Sequence, residues 1–133
     1  MWQVFLDIGI IRNKFLNGVN YINSYIMIQK ISEINPNEIV PGYLGKFFHG
    51  KNMTIAFWKV KKNSKIPTHN HIHEQCLYVK KGSFKLKIDG KIHRVNENEL
   101  IFIKPMQKHS GTAITNCELI DFFTPNRTEY SNK

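Results

Sequence analysis

The chain predicts an all-β fold, closed as a barrel or built from two sheets, and three observations carry that expectation. From Ile39 onward, short runs of β-branched and aromatic residues alternate with turn residues at regular spacing. Asp89-Gly90 sits between two such runs, a strong hairpin signal. No helical periodicity of any length follows residue 39.

Taken in order, Met53–Val60 reads as a strand, rich in β-branched and aromatic residues. Lys62–Pro67 reads as a polar loop. Glu74–Val79 is a strand, turned by Lys80-Lys81-Gly82-Ser83. Phe84–Ile88 and Lys91–Val95 are the arms of the Asp89-Gly90 hairpin. Asn96-Glu97-Asn98 turns again. Leu100–Ile103 is an apolar strand that ends before Pro105. Cys117–Phe123 is the last strand, closed by Thr124-Pro125-Asn126.

At 133 residues the length fits one domain with a core of its own. Residues 27–133 are expected to form it. Residues 1–26, rich in Ile and Asn and without a site-like cluster, are expected to be an N-terminal extension, either an appendage, since Met27 reads like a protein start, or an extra strand or helix packing on the domain. The hydrophobic content of 41% argues against disorder. Cys76 and Cys117 show no metal-like spacing, which points to a reducing compartment.

The formal net charge is +9, which raises the question of nucleic acid. The lysines are spread along the chain and alternate with apolar residues, as in Phe84-Lys85-Leu86-Lys87-Ile88. That is the pattern of a solvated strand face, and no aromatic-basic recognition motif accompanies it, so no nucleic-acid partner is expected. No apolar run reaches the roughly 18–20 residues that span a bilayer, and no membrane partner is expected. The N-terminus lacks a basic leader and a small-residue cleavage site, so a cytoplasmic location is expected.

The chemistry concentrates in PTHNHIHEQCLYVKKG, residues 67–82, which holds three of the six histidines. In one strand, residues two apart share a face. His69, His71, His73 and Gln75 share parity with Leu77 and Val79, so they are expected to face the interior. Several buried imidazoles are costly without partners. A metal ion accounts for the cluster economically, because imidazole is the common ligand of Zn, Cu, Fe and Ni. His109, after the Leu100–Ile103 strand, is the best further ligand. His49, before Gly50, is a weaker candidate for the mouth of the cavity. His93, a weaker candidate too, reads as a surface or strand-pairing residue of the hairpin.

These residues resemble the cupin superfamily, small jelly-roll barrels with a metal at the mouth. The first cupin motif runs Gly, five residues, His-x-His, three or four residues, Glu, six residues, Gly. Here Asn63, His69-Asn70-His71, Gln75 and Gly82 hold those places. In the second motif Asn98-Glu99, Pro105 and His109 correspond. Asparagine tolerates the left-handed turn that glycine supplies, so both turns are expected to survive. Gln75 replaces the usual glutamate ligand and leaves the bound cation one unit more positive, a better Lewis acid.

The similarity is greater still to a subgroup of single-domain cupins with His-x-His-x-His-Glu-Gln early and Asp-x-Phe-[Ser/Thr]-Pro-x-Arg-x-[Asp/Glu]-Tyr late. This chain has HNHIHEQ at 69–75 and DFFTPNRTEY at 121–130. The resemblance implies His69, His71, Gln75 and His109 as ligands of one divalent metal ion: Zn, Ni, Fe, Mn or Co. His73 and Glu74 then become supporting residues.

In the last strand Leu119, Asp121 and Phe123 share parity, and Leu119 is expected inside. Asp121 is then an inward acid: either it pairs with a base such as Arg127, or it transfers protons or anchors a substrate hydroxyl. Arg127 has a guanidinium fork suited to a carboxylate, and Phe123 is an apolar wall. A metal, an inward acid and a carboxylate clamp resemble the cupins that open unsaturated uronates from pectin and alginate breakdown. The expected function is therefore a metal-dependent ring-opening or isomerising enzyme on a small carboxylated, sugar-like substrate. The alternatives are a small-molecule-binding or sensing module without catalysis, and a metal-dependent dioxygenase, which Gln75 disfavours. A homodimer through exposed edge strands is expected.

Overall fold

The computed structural model describes residues 28–130. The extension expected over residues 1–26 lies outside the described residues. The strands all belong to one compact unit, Ile31–Lys133. They are β1 (Asn37–Val40), β2 (Tyr43–His49), β3 (Thr54–Val60), β4 (Lys65–His69), β5 (Glu74–Lys81), β6 (Ser83–Ile88), β7 (Lys91–Asn96), β8 (Leu100–Ile103), β9 (His109–Ala113) and β10 (Cys117–Thr124). Short 3₁₀ turns at Ile31–Glu33 and Thr128–Tyr130 flank them.

Six strands form one sheet in the order β1-β2-β3-β10-β5-β8, and four form the other, β4-β9-β6-β7. The pairings are antiparallel. This is a jelly roll, an all-β fold of two antiparallel sheets around one core, as the sequence predicts. Each sheet turns one face inward. Tyr43, Trp58, Val60, Leu77, Val79 and Leu119 are buried from the larger sheet, and Phe84, Leu86, Ile88 and Val95 from the smaller. Burying such a side chain contributes about 1.5–3 kcal/mol. The alternation in β5 and β10 follows the expected parity: Leu77, Val79, Leu119, Asp121 and Phe123 are all inside.

The turns obey the chemistry read from the chain. Asp89 and Gly90 both have positive φ, 46° and 83°, as a two-residue primed turn requires. Asn63 and Asn98 stand at φ 69° and 65°, in the left-handed region that glycine usually occupies.

The structure corrects the strand reading in three places. β1 and β2 form hydrogen-bonded strands that were not individually expected. The stretch expected as the polar loop Lys62–Pro67 becomes β4 from Lys65. Pro67 is tolerated there because β4 is an edge strand, where a missing N–H interrupts no ladder, and the register shifts between Ile66 and His69. β9 was missed because His-Ser-Gly-Thr-Ala has weak strand propensity. Its glycine has a packing cause: a Cβ on Gly111 would come within 2.5 Å of the Phe84 ring.

Candidate metal centre

His69 to Gln75 is not one strand, contrary to the parity argument. β4 ends at His69 in the smaller sheet, and β5 begins at Glu74 in the larger. Residues 70–73 carry the chain between the sheets, and a crossing of this kind resets the period-two rule. The expected convergence arises by another route. His69 is paired directly with His109, the first residue of β9, and their ring centroids are 4.2 Å apart. His71, in the crossover, places its ring 4.9 Å from that of His109 and 5.8 Å from that of His69. One nitrogen from each of His69, His71 and His109 lies within 4.8 Å of the others, so the three are positioned to bind a metal.

The hydrogen bonds assign the nitrogens. The Nδ1 atoms of His69, His71 and His109 face the carbonyls of Pro67 (2.8 Å), His73 (3.1 Å) and Gln107 (2.8 Å). A carbonyl only accepts, so in each ring Nδ1 carries the proton and Nε2 keeps the lone pair. An Nδ1–H held by a backbone carbonyl is the usual outer support of a metal-bound histidine. The His109 Nε2 is buried and has no hydrogen-bond partner among the described residues. The His71 Nε2 faces Gln75 Oε1 at 3.1 Å, and burial, with Arg127 nearby, lowers the His71 pKa to about 4. A neutral ring thus sets a lone pair against a carbonyl oxygen, an arrangement that a cation between them would relieve. The residues present fit a divalent metal on these grounds.

Gln75, the second residue of β5, is buried and gives its amide nitrogen to Asp121 Oδ1 at 2.8 Å. Asp121 takes a second hydrogen bond on Oδ2 from Trp58 Nε1, at 2.9 Å. Asp121 therefore pairs with Trp58 and Gln75, not with Arg127 as one reading expected. Burial pushes its pKa up to about 6, against the pull of these two hydrogen bonds and of the Arg127 charge. Arg127 instead gives Nε to Glu129 Oε1 at 2.7 Å. Its guanidinium stands 4.3 Å from the Tyr130 ring centre and 4.7 Å from that of Phe123. Thr54 Oγ1 accepts from the Arg127 backbone N–H at 2.8 Å and ties this loop to β3. His69, Gln75, His109, Asp121, Phe123 and Arg127 all line one cavity.

The remaining histidines separate cleanly. His73 is buried but stands outside the three-histidine group; its Nε2 donates to the Asn126 carbonyl at 3.3 Å. His49 ends β2, and its Nδ1 meets Thr54 Oγ1 at 2.8 Å. His93 is exposed on β7. The residues that sequence reasoning missed are Trp58, Tyr43 and Tyr130, all on the cavity wall. Trp58 shares inward parity with Ala56 and Val60, the one signal that could have marked it. Both cysteines are free. Among the described residues no helix is long and apolar enough to cross a membrane.

Fold and site together define a small jelly-roll barrel with a histidine centre between its sheets. The cupin domain family model matches residues 56–123, just over half of the chain, and the chain belongs to that family. Among solved structures it is similar to KdgF from Halomonas sp., at 22% identity and TM-score 0.70, covering 74% of this chain and 94% of that one. An RmlC-like cupin from Shewanella frigidimarina matches at 23% identity and TM-score 0.72, over 77% and 93% of the two chains. A single-residue variant of the oxalate decarboxylase from Bacillus subtilis matches at 19% identity and TM-score 0.67, over 76% of this chain and only 30% of that one. At these identities the likeness is one of fold. No curated protein matches the chain.

Proposed function

We propose that the protein is a metal-dependent enzyme acting on a small carboxylated, sugar-like substrate, in the manner of the cupins that open unsaturated uronates. One observation carries the reading: His69 and His109, two of the three clustered imidazoles, share a single cavity with a buried carboxylate and an arginine stacked on aromatic rings. His69, His71, Gln75 and His109 would hold one divalent cation: Zn, Ni, Fe, Mn or Co. Bound there, it supplies Lewis acidity to substrate oxygens. Asp121 is the cavity's proton-transfer group, and a pKa of about 6 suits exchange near neutral pH. Glu129 engages Nε of Arg127, so the Nη pair is the part that would meet a substrate carboxylate. Phe123 closes the apolar side.

The test is to load the purified protein with each metal, add unsaturated galacturonate or mannuronate, and follow the enol absorbance. Loss of absorbance that needs both metal and Asp121 supports the reading. No loss with any metal removes it. A non-catalytic ligand-binding module is the second reading. It is favoured by the engagement of both Asp121 oxygens, one by Gln75 and the other by Trp58. Tight binding of the same sugars without turnover would select it.

The expected homodimer is proposed at the β8 edge of the larger sheet. There exposed Phe102 lies beside Cys76, which lies beside exposed Phe122, an apolar row across three strands that a second copy could cover. Light scattering on Phe102→Lys is expected to show a monomer where the parent is a dimer.

A further inference from the structure

The carboxamide at position 75 has a cause beyond the metal. The register of β10 on β5 sets Phe123 opposite Gln75 and Asp121 opposite Leu77, so Asp121 is the diagonal neighbour of Gln75 on the same inner face. Asp121 Oδ1 accepts from Gln75 Nε2 at 2.8 Å, and Oδ2 accepts from Trp58 Nε1 at 2.9 Å. Both carboxylate oxygens therefore face donors. The Trp58 ring is itself held in place: a Cβ on Gly45 would come within 2.6 Å of it, so the strand beside it carries no side chain there. With its nitrogen committed to Asp121, the carboxamide turns Oε1 toward His71 Nε2, 3.1 Å away. That ring has already committed its own proton to the His73 carbonyl.

We infer that Asp121 and Trp58 are positioning residues of the metal centre: they lock the Gln75 carboxamide with its oxygen toward the histidines. The same geometry explains why residue 75 is an amide. A glutamate there would set two carboxylates against each other at the 2.8 Å contact that Gln75 now makes. The pair needs one acid and one amide, and the exchange of the two keeps the hydrogen bond and still leaves an oxygen for the metal. Gln75 is thus matched to its neighbour on β10, which sets a carboxylate one hydrogen bond behind the carboxamide. The inference rests on the metal reading of the site and assigns Asp121 a task that precedes any proton transfer.

Removal of the Asp121 carboxylate frees the amide to turn its NH₂ toward the histidines. The test measures Zn binding by calorimetry and the visible spectrum of the Co(II)-loaded protein, beside the melting temperature of the metal-free protein. Asp121→Asn is expected to weaken Zn by about 10–100-fold, the usual effect of losing an outer partner, and to alter the Co(II) spectrum. Gln75→Glu combined with Asp121→Asn is expected to restore both, although Gln75→Glu alone does not reach wild-type affinity. Wild-type affinity and an unchanged spectrum in Asp121→Asn would overturn the inference while leaving the metal reading intact. A wild-type protein that takes up no metal would overturn the metal reading, and the inference with it. If Asp121→Asn fails to fold, the double variant decides: restored affinity supports the acid–amide pair, and a folded double variant without metal uptake overturns it.

Discussion

His69 and His109 face each other across the β4–β9 pairing, with ring centroids 4.2 Å apart, and each gives its Nδ1–H to a backbone carbonyl. Two directly paired neighbours in one sheet thus present a pair of Nε2 lone pairs, which His71 completes from the crossover.

Because these nitrogens are outward ends of rings already anchored by the backbone, truncating one leaves the fold largely in place. His109→Ala is expected to reduce metal affinity by more than the 10–100-fold typical of an outer partner. The metal-free protein should lose only a few degrees in melting temperature. Metal analysis after dialysis, beside thermal melts with and without chelator, checks both.

A site assembled only in the folded chain makes metal a stabilising ligand. At a free metal concentration about 100 times Kd the folded state gains about 2.7 kcal/mol. The melting temperature should rise by several degrees on loading and return on chelation. An unchanged melt with saturating Zn, Ni, Fe, Mn and Co would contradict the site.

Acid should act on the metal-free fold through two opposed effects. Burial lowers His71 to about pKa 4 and lowers His109 as well, so the unfolded chain takes up those protons first as pH falls below about 6.5, and the fold weakens. Burial raises Asp121 to about 6, so the folded carboxyl protonates before the unfolded one, and acid strengthens the fold over the same range. Asp121→Asn removes only the second effect. Its melting temperature should fall more steeply between about pH 6.5 and pH 4.5 than that of the parent. An equal or shallower slope would show that Asp121 does not titrate this way.

Two backbone positions can be tested by denaturant titration. Asn63, at φ 69°, should tolerate glycine with little change, whereas alanine is expected to cost about 1–2 kcal/mol for lack of a left-handed preference. Gly111→Ala forces a Cβ into the Phe84 ring and is expected to cost about 1–3 kcal/mol. Stability unchanged in Gly111→Ala would mean that Phe84 moves aside freely.

Much of this was legible in the chain because it depends on neighbours one to four residues away. The inward set Leu119, Asp121 and Phe123 follows from alternation within β10, and the Asp89-Gly90 hairpin from the φ values those residues accept. The left-handed asparagines at 63 and 98 were indicated by the cupin resemblance, whose motifs place a turn glycine at those positions. The parity argument failed at His69–Gln75 although its conclusion of convergence held, because alternation cannot report where a chain leaves one sheet for the other.

By itself, then, the sequence determined the all-β class, the turns, the inward residues of the long strands and the identity of the imidazoles, since these rest on local backbone preference and on side-chain chemistry. Only the tertiary structure decided what each group meets. The His69–His109 pairing, the release of Asp121 from Arg127 to Trp58 and Gln75, and the stacking of Arg127 on Tyr130 join segments from different strands. Such contacts are set by register and sheet order, which are collective properties of the packed core and have no local signature.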